Sequence, residues 1–134
     1  MGALNIRAAK ENTGAVLDFV TAELEKNNFP AHLHSDILLA AEEIFVNIAN
    51  YAYNPELAGE VTITASVTDE AEFTFEDRGK SFNPLENVAP DLNAPLAERK
   101  IGGLGLHSVK SLMDKIEYRR DGDKNILTFT KGRN

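Results

Sequence analysis

From Glu60 to Thr68 the chain alternates without a break, with Val61, Ile63, Ala65 and Val67 on one side and Thr62, Thr64 and Ser66 on the other. A period of two sends successive side chains to opposite faces of a strand, so one face is buried and the other wet. Asp69-Glu70 supplies a turn, and Ala71 to Glu76 reads as the returning strand with Phe73 and Phe75 inward. A sheet with one apolar face needs a second layer to cover it. Helical patterns upstream provide one. Asn12 is placed to cap a helix from about Thr13 to Asn27, striped by Val16, Leu17, Phe19, Val20 and Leu24, and Asn27-Asn28-Phe29-Pro30 ends it. Ser35 is placed to cap a second helix from about Asp36 to Ala52, with Ile37, Leu38, Ala41, Ile44, Phe45 and Ile48 as its apolar face. At roughly 100° per residue, Asp36, Ala40, Glu43, Asn47 and Asn50 fall on a separate face.

Leu4 to Ala8 reads as a short first strand, and Ile116–Arg120 and Asn125–Lys131 as a hairpin around Asp121-Gly122-Asp123-Lys124. A further helix runs to about Asp114. The order β-α-α-β-β-loop-α-β-β predicts an α+β fold: a two-layer α/β sandwich, with helices on one face of a mainly antiparallel mixed sheet. With 134 residues, one domain over 1–134 is expected.

Composition closes several routes. The chain has no cysteine and only three histidines, which removes disulfides, thiolate metal sites and, in practice, a histidine-built zinc site. With 14 basic against 21 acidic residues, the net charge of −7 opposes direct nucleic-acid binding. The start lacks the pattern of a secretion leader and no apolar run reaches membrane-spanning length, so no membrane association and a cytoplasmic location are expected.

Three places carry candidate chemistry. Glu43 and Asn47 stand one helical turn apart, a carboxylate and a carboxamide suited to magnesium or to orienting a hydroxyl, or simply a polar pair facing solvent. Asp77-Arg78-Gly79 ends a strand, where the carboxylate can accept from a ligand amine and the glycine lets a flat ring approach, or where the three residues merely turn. Gly102, Gly103 and Gly105 open a helical run, Leu106 to Met113, so their amides can approach a phosphate, as can the cations Arg99 and Lys100. A plain tight connection uses the same residues. His107, directly after the glycines, invites a catalytic reading, but nothing in the sequence pairs with it, and a surface or first-turn helix histidine is the plainer one. Between Asn83 and Lys100 lie three prolines and little periodicity, the pattern of a lid or mobile segment.

Taken in order, Glu43-Ile44-Phe45-Val46-Asn47, then Asp77-Arg78-Gly79-Lys80-Ser81-Phe82-Asn83-Pro84, then Gly102-Gly103-Leu104-Gly105-Leu106 followed by Ser111-Leu112-Met113-Asp114, resembles the GHKL (Bergerat-fold) ATP-binding superfamily. Within it the chain resembles the bacterial anti-sigma regulatory factors, the serine-protein kinases of partner-switching systems. The resemblance implies ATP and magnesium as cofactors. Asn47 would ligate magnesium, and Glu43 would help activate a substrate serine or a water. Asp77 would bind the adenine amine with Gly79 beneath the base, and Phe82 belongs to the same motif. Gly102 to Leu106 would hold phosphates beside Arg99 and Lys100, with Asn83–Lys100 as the lid. It further implies a homodimer that binds a sigma factor in one state, and in the other phosphorylates a serine of a STAS-type antagonist. A non-catalytic, nucleotide-dependent switch is the alternative. The chain departs from the family where Lys124-Asn125-Ile126-Leu127-Thr128 stands in place of a Gly-Thr pair, where Tyr51-Ala52 follows the first motif, and where Lys100-Ile101 follows Arg99.

Overall fold

A computed structural model describes residues 2–52, 59–81 and 109–133. Strands Gly2–Arg7 (β1), Glu60–Val67 (β2), Glu70–Asp77 (β3), Lys115–Asp121 (β4) and Lys124–Gly132 (β5) form one sheet in the order β1-β2-β3-β5-β4. All four pairings are antiparallel, where the sequence reading allowed a mixed sheet. Helices Thr13–Lys26 (α1) and His34–Asn47 (α2) share one core cluster with the sheet. The α+β two-layer expectation holds.

Alternation decides which strand face is covered. Val61, Ile63 and Ala65 of β2 and Ala71, Phe73 and Phe75 of β3 are all buried. Phe129 of β5 stands opposite Phe73, its ring stacked 5.5 Å from Phe73 and 6.2 Å from Phe75. Val16, Val20 and Leu24 of α1 and Ile37, Ala41, Ile44 and Phe45 of α2 close the layer from above. The β4–β5 hairpin turns at Gly122-Asp123, and Gly122 takes φ +61°, the positive value that a two-residue hairpin turn requires at its first central position.

The helix ends differ from the sequence reading for identifiable reasons. Asn12 makes no side-chain cap, because a 3-10 turn over Lys10–Asn12 precedes α1 and the Asn12 amide donates to the Arg7 carbonyl at 3.0 Å. Ser35 is likewise no cap. A 3-10 turn over Ala31–Leu33 buries Leu33 and starts α2 at His34. The end of α1 owes less to Pro30 than expected. Asn28 adopts a left-handed φ of 54°, its N–H bonding to Glu25 O and that of Phe29 to Leu24 O, the paired closure of a Schellman motif. Arg133, past the last strand, then donates to the carbonyls of Asn27, Asn28 and Thr68 and lies over the Phe29 ring. A guanidinium at a helix C-terminus also suits the negative end of its dipole.

The α-helical part of α2 stops at Asn47 and continues as a π turn, Ile48–Ala52. Ala40 and Asn47 belong with the core: both are buried as deeply as the apolar stripe, whereas the sequence reading set them on a separate face. The reason is that α2 is enclosed on more than one side, with α1 packed along it as well as the sheet.

Phe82, Arg99, Lys100, Gly102, Gly103, Leu104, Gly105, Leu106 and His107, with the expected lid, lie outside the described residues. The helix expected after the glycines is described from residue 109 and is helical over 109–112. Val109 and Met113 are buried, and Lys131 Nζ donates to Leu112 O at 2.8 Å while the Gly132 amide donates to Asp114 Oδ2. The far end of that helix is thus pinned to β5.

Candidate nucleotide site

Five polar side chains are buried among the described residues: Glu23, Asn47, Asp77, Asn125 and Thr130. A buried polar group calls for a reason. Two of the five are residues singled out in the sequence, and a third bonds directly to one of them.

Asp77 is the last residue of β3 and follows Phe73 and Phe75 on the covered face, so its carboxylate enters the layer between helices and sheet. Its Oδ1 accepts from the Gly79 amide at 2.8 Å and from Asn125 Nδ2 at 2.9 Å. No hydrogen bond among the described residues uses Oδ2. Burial raises the Asp77 carboxyl above the ordinary aspartate range, opposed by the hydrogen bonds of Asn125 and Gly79 and by the Arg120 guanidinium. What results is an acceptor with one oxygen saturated and one left over.

Asn47 closes α2 from the other layer. Its Nδ2 donates to the Glu43 carbonyl one turn back, at 2.7 Å. A carbonyl can only accept, so this bond forces the amide nitrogen onto the helix and leaves Oδ1 as the outward atom. An amide oxygen is a hard ligand of the kind magnesium takes, alongside waters and phosphate oxygens. Among the described residues no group of three or more histidine, cysteine, aspartate or glutamate side chains is placed to hold a metal ion, so a cation here would rely on Asn47 and its own substrate. The residues present fit that ion.

Glu43 is half-buried. Burial lifts its carboxyl above the ordinary glutamate range and the neighbouring Glu42 adds to the lift. A carboxyl raised in the folded state holds its proton longer there than in the unfolded chain, so stability falls as pH climbs from about 4.3 through the folded value. Glu43→Gln, which keeps the neutral form, is expected to match wild type near pH 4 and to be more stable at neutral pH. Chemical denaturation across that range checks it. A gap that does not widen between pH 4 and 7 refutes the environment assigned to Glu43.

Sequence reasoning missed Asn125, Tyr118 and Arg120. Asn125 faces Asp77 across the β3–β5 register. Its Oδ1 accepts from the Tyr118 hydroxyl and from Arg120, which also donates to Gly79 O at 2.8 Å. Two signals were available: Asn125 lies where the chain departs from the family's Gly-Thr pair, and asparagine is poorly suited to strands, yet it shares the inner face with Leu127 and Phe129.

The family described as Histidine kinase-like ATPase domain matches residues 6–131. The chain belongs to this family. Membership implies use of ATP, and the α+β architecture agrees with it. Among curated proteins the chain is 27% identical over 106 residues to the serine/threonine-protein kinase BtrW of Bordetella bronchiseptica, covering 78% of this chain and 75% of that one. It is 29% identical over 133 residues to the serine-protein kinase RsbW of Halalkalibacterium halodurans, covering 96% and 80%. The RsbU and RsbW domains of Rv1364c from Mycobacterium tuberculosis share the fold at a TM-score of 0.68 and 14% identity, over 98% of this chain and 32% of that one. Asn47 on α2 and Asp77 at the end of β3, one residue from each of two motifs read from the sequence, are thus buried in this family's fold. The third falls outside the described residues.

Proposed function

We propose that the protein binds magnesium-ATP and transfers its terminal phosphoryl group to a serine of a small STAS-type antagonist, and that it sequesters a sigma factor when that antagonist is not bound. The observation that carries this reading is the buried Asp77 carboxylate with Oδ1 saturated and Oδ2 uncommitted, which matches the single exocyclic amine of adenine. The kinase names borne by relatives that align over most of the chain support it.

Each residue has one task. Asp77 accepts from the adenine amine while Gly79 lets the base approach. Asn47 offers Oδ1 to magnesium, which neutralises phosphate charge in an otherwise acidic protein. Glu43 takes the proton from the serine hydroxyl as the serine oxygen bonds to phosphorus and the bond to the ADP oxygen breaks. A raised carboxyl is the better base for this near neutrality. Gly102 to Leu106, Arg99 and Lys100 hold the phosphates, and Phe82 follows the base-binding turn. Positioning and charge neutralisation supply most of what phosphoryl transfer needs. We assign the working form as a homodimer in the cytoplasm.

The test is incubation of the full chain with γ-labelled ATP, magnesium and a STAS protein encoded beside it. Label on a serine is expected with wild type. Glu43→Ala should bind ATP and leave no label, and Asn47→Ala should lose magnesium-dependent binding altogether. ATP binding without any label would make the protein a nucleotide-dependent switch. Unchanged ATP affinity in Asn47→Ala would refute the site.

A further inference from the structure

We propose that Asn125 is a positioning residue that fixes which oxygen of Asp77 faces the base, and so sets a preference for a 6-amino over a 6-oxo purine. The inference rests on the reading of Asp77 as the base acceptor and goes beyond it, to a residue on another strand that does not touch the ligand.

The argument begins with the amide itself. A primary carboxamide has two N–H donors and two acceptor positions on its oxygen. At Asn125 all four are engaged. Nδ2 donates to Asp77 Oδ1 at 2.9 Å and to Lys80 O at 2.9 Å. Oδ1 accepts from Tyr118 and, at 3.1 Å, from Arg120. Three of these partners work in one direction only: a carboxylate and a carbonyl accept, and a guanidinium donates. The amide therefore has one orientation, dictated by its neighbours. Aspartate lacks the donors for one side of this arrangement, and an apolar residue lacks both sides.

Consequences for Asp77 follow directly. Its Oδ1 has two acceptor positions facing the protein, and the Gly79 amide and Asn125 fill them. The carboxylate is held from two directions and cannot turn about its last bond without losing both. Only Oδ2 is left for a ligand, and it can only accept. A 6-amino purine satisfies it; a 6-oxo purine sets carbonyl oxygen against carboxylate oxygen. Arg120 bonds Gly79 O and Gly122 O as well, tying the turn after Asp77 to the β4–β5 hairpin. Asn125 is thus the centre of a clamp that joins β3, β4, β5 and the base-binding turn. With its amide spent inside the protein, it acts on the ligand only through Asp77.

The experiment titrates the full chain with magnesium-ATP and magnesium-ITP, which differ at the purine 6-position, in wild type, Asp77→Asn and Asn125→Ala. Wild type is expected to prefer ATP by about a hundredfold, the scale on which a site built around one buried polar group rejects a mismatched partner. In Asn125→Ala, ATP affinity should fall about tenfold or more while ITP affinity changes little, so that the ratio drops below about ten. A variant that folds and keeps the wild-type ratio overturns the inference, because a merely structural asparagine would weaken both nucleotides alike. Should Asn125→Ala fail to fold, the side-chain amide protons of Asn125 in the wild-type protein decide instead. Their NMR signals should shift on saturation with ATP, and signals that stay fixed overturn it. Wild type with no preference for ATP, or Asp77→Asn binding ATP as wild type does, counts against the Asp77 reading itself. The two failures are therefore distinct.

Discussion

Asp77→Asn is expected to weaken ATP binding by about a hundredfold or more while the protein stays folded. The change is nearly isosteric, so the effect is one of hydrogen-bond polarity. In wild type Oδ1 accepts from the Gly79 amide and from Asn125 Nδ2. An asparagine at this position must offer those two donors its oxygen, which turns its own NH2 toward the base. An adenine amine then meets a donor instead of an acceptor. Stability should not suffer at neutral pH. Burial already raises the Asp77 carboxyl, so a neutral side chain escapes the cost of ionising there, and that advantage is largest above the raised folded value and vanishes in acid. Calorimetric titration with ATP and a thermal melt on the same sample test both halves. Affinity within a fewfold of wild type would remove Asp77 from the site.

The second large effect is on stability. Phe129→Ala should cost about 3–5 kcal/mol, the usual loss when a buried aromatic is truncated. Phe129 is fully buried on β5 and stacks on both Phe73 and Phe75 of β3, so its removal leaves a cavity bounded by a paired sheet that cannot collapse without breaking register. The melting temperature should drop by roughly 10–20 °C, measurable by circular dichroism. A loss below about 1.5 kcal/mol would mean that the helices settle into the gap, against the close packing that protein interiors show. The same strand pairing holds Asn125 opposite Asp77, which links core packing to the shape of the site.

Much of the architecture was legible because it rests on local periodicity. The alternation from Glu60 to Glu76 specified a hairpin with one covered face, and β2 and β3 are found within a residue of the expected bounds. Asn47, Asp77 and Glu43 were singled out only through the resemblance of three ordered motifs to an ATP-binding superfamily; taken one at a time, each pattern also fits a solvent-facing pair or a plain turn. Helix starts were less legible. Asn12 and Ser35 are good capping residues by type, but a 3-10 turn leads into each helix, with the Thr13 amide bonded to Lys10 O and the His34 amide to Ala31 O, and neither side chain caps. A helical wheel placed Asn47 apart from the apolar stripe, since it reckons angles on one helix and knows nothing of α1 beside it.

By itself, the order of residues determined which segments become strands and helices and which face of the central hairpin is apolar. Only the tertiary structure decided that Asp77 has one oxygen committed and one left over. That outcome depends on Asn125, 48 positions further along the chain, arriving opposite it. Strand register is set by the summed packing of β3, β4 and β5, a non-local quantity that no short window of sequence contains.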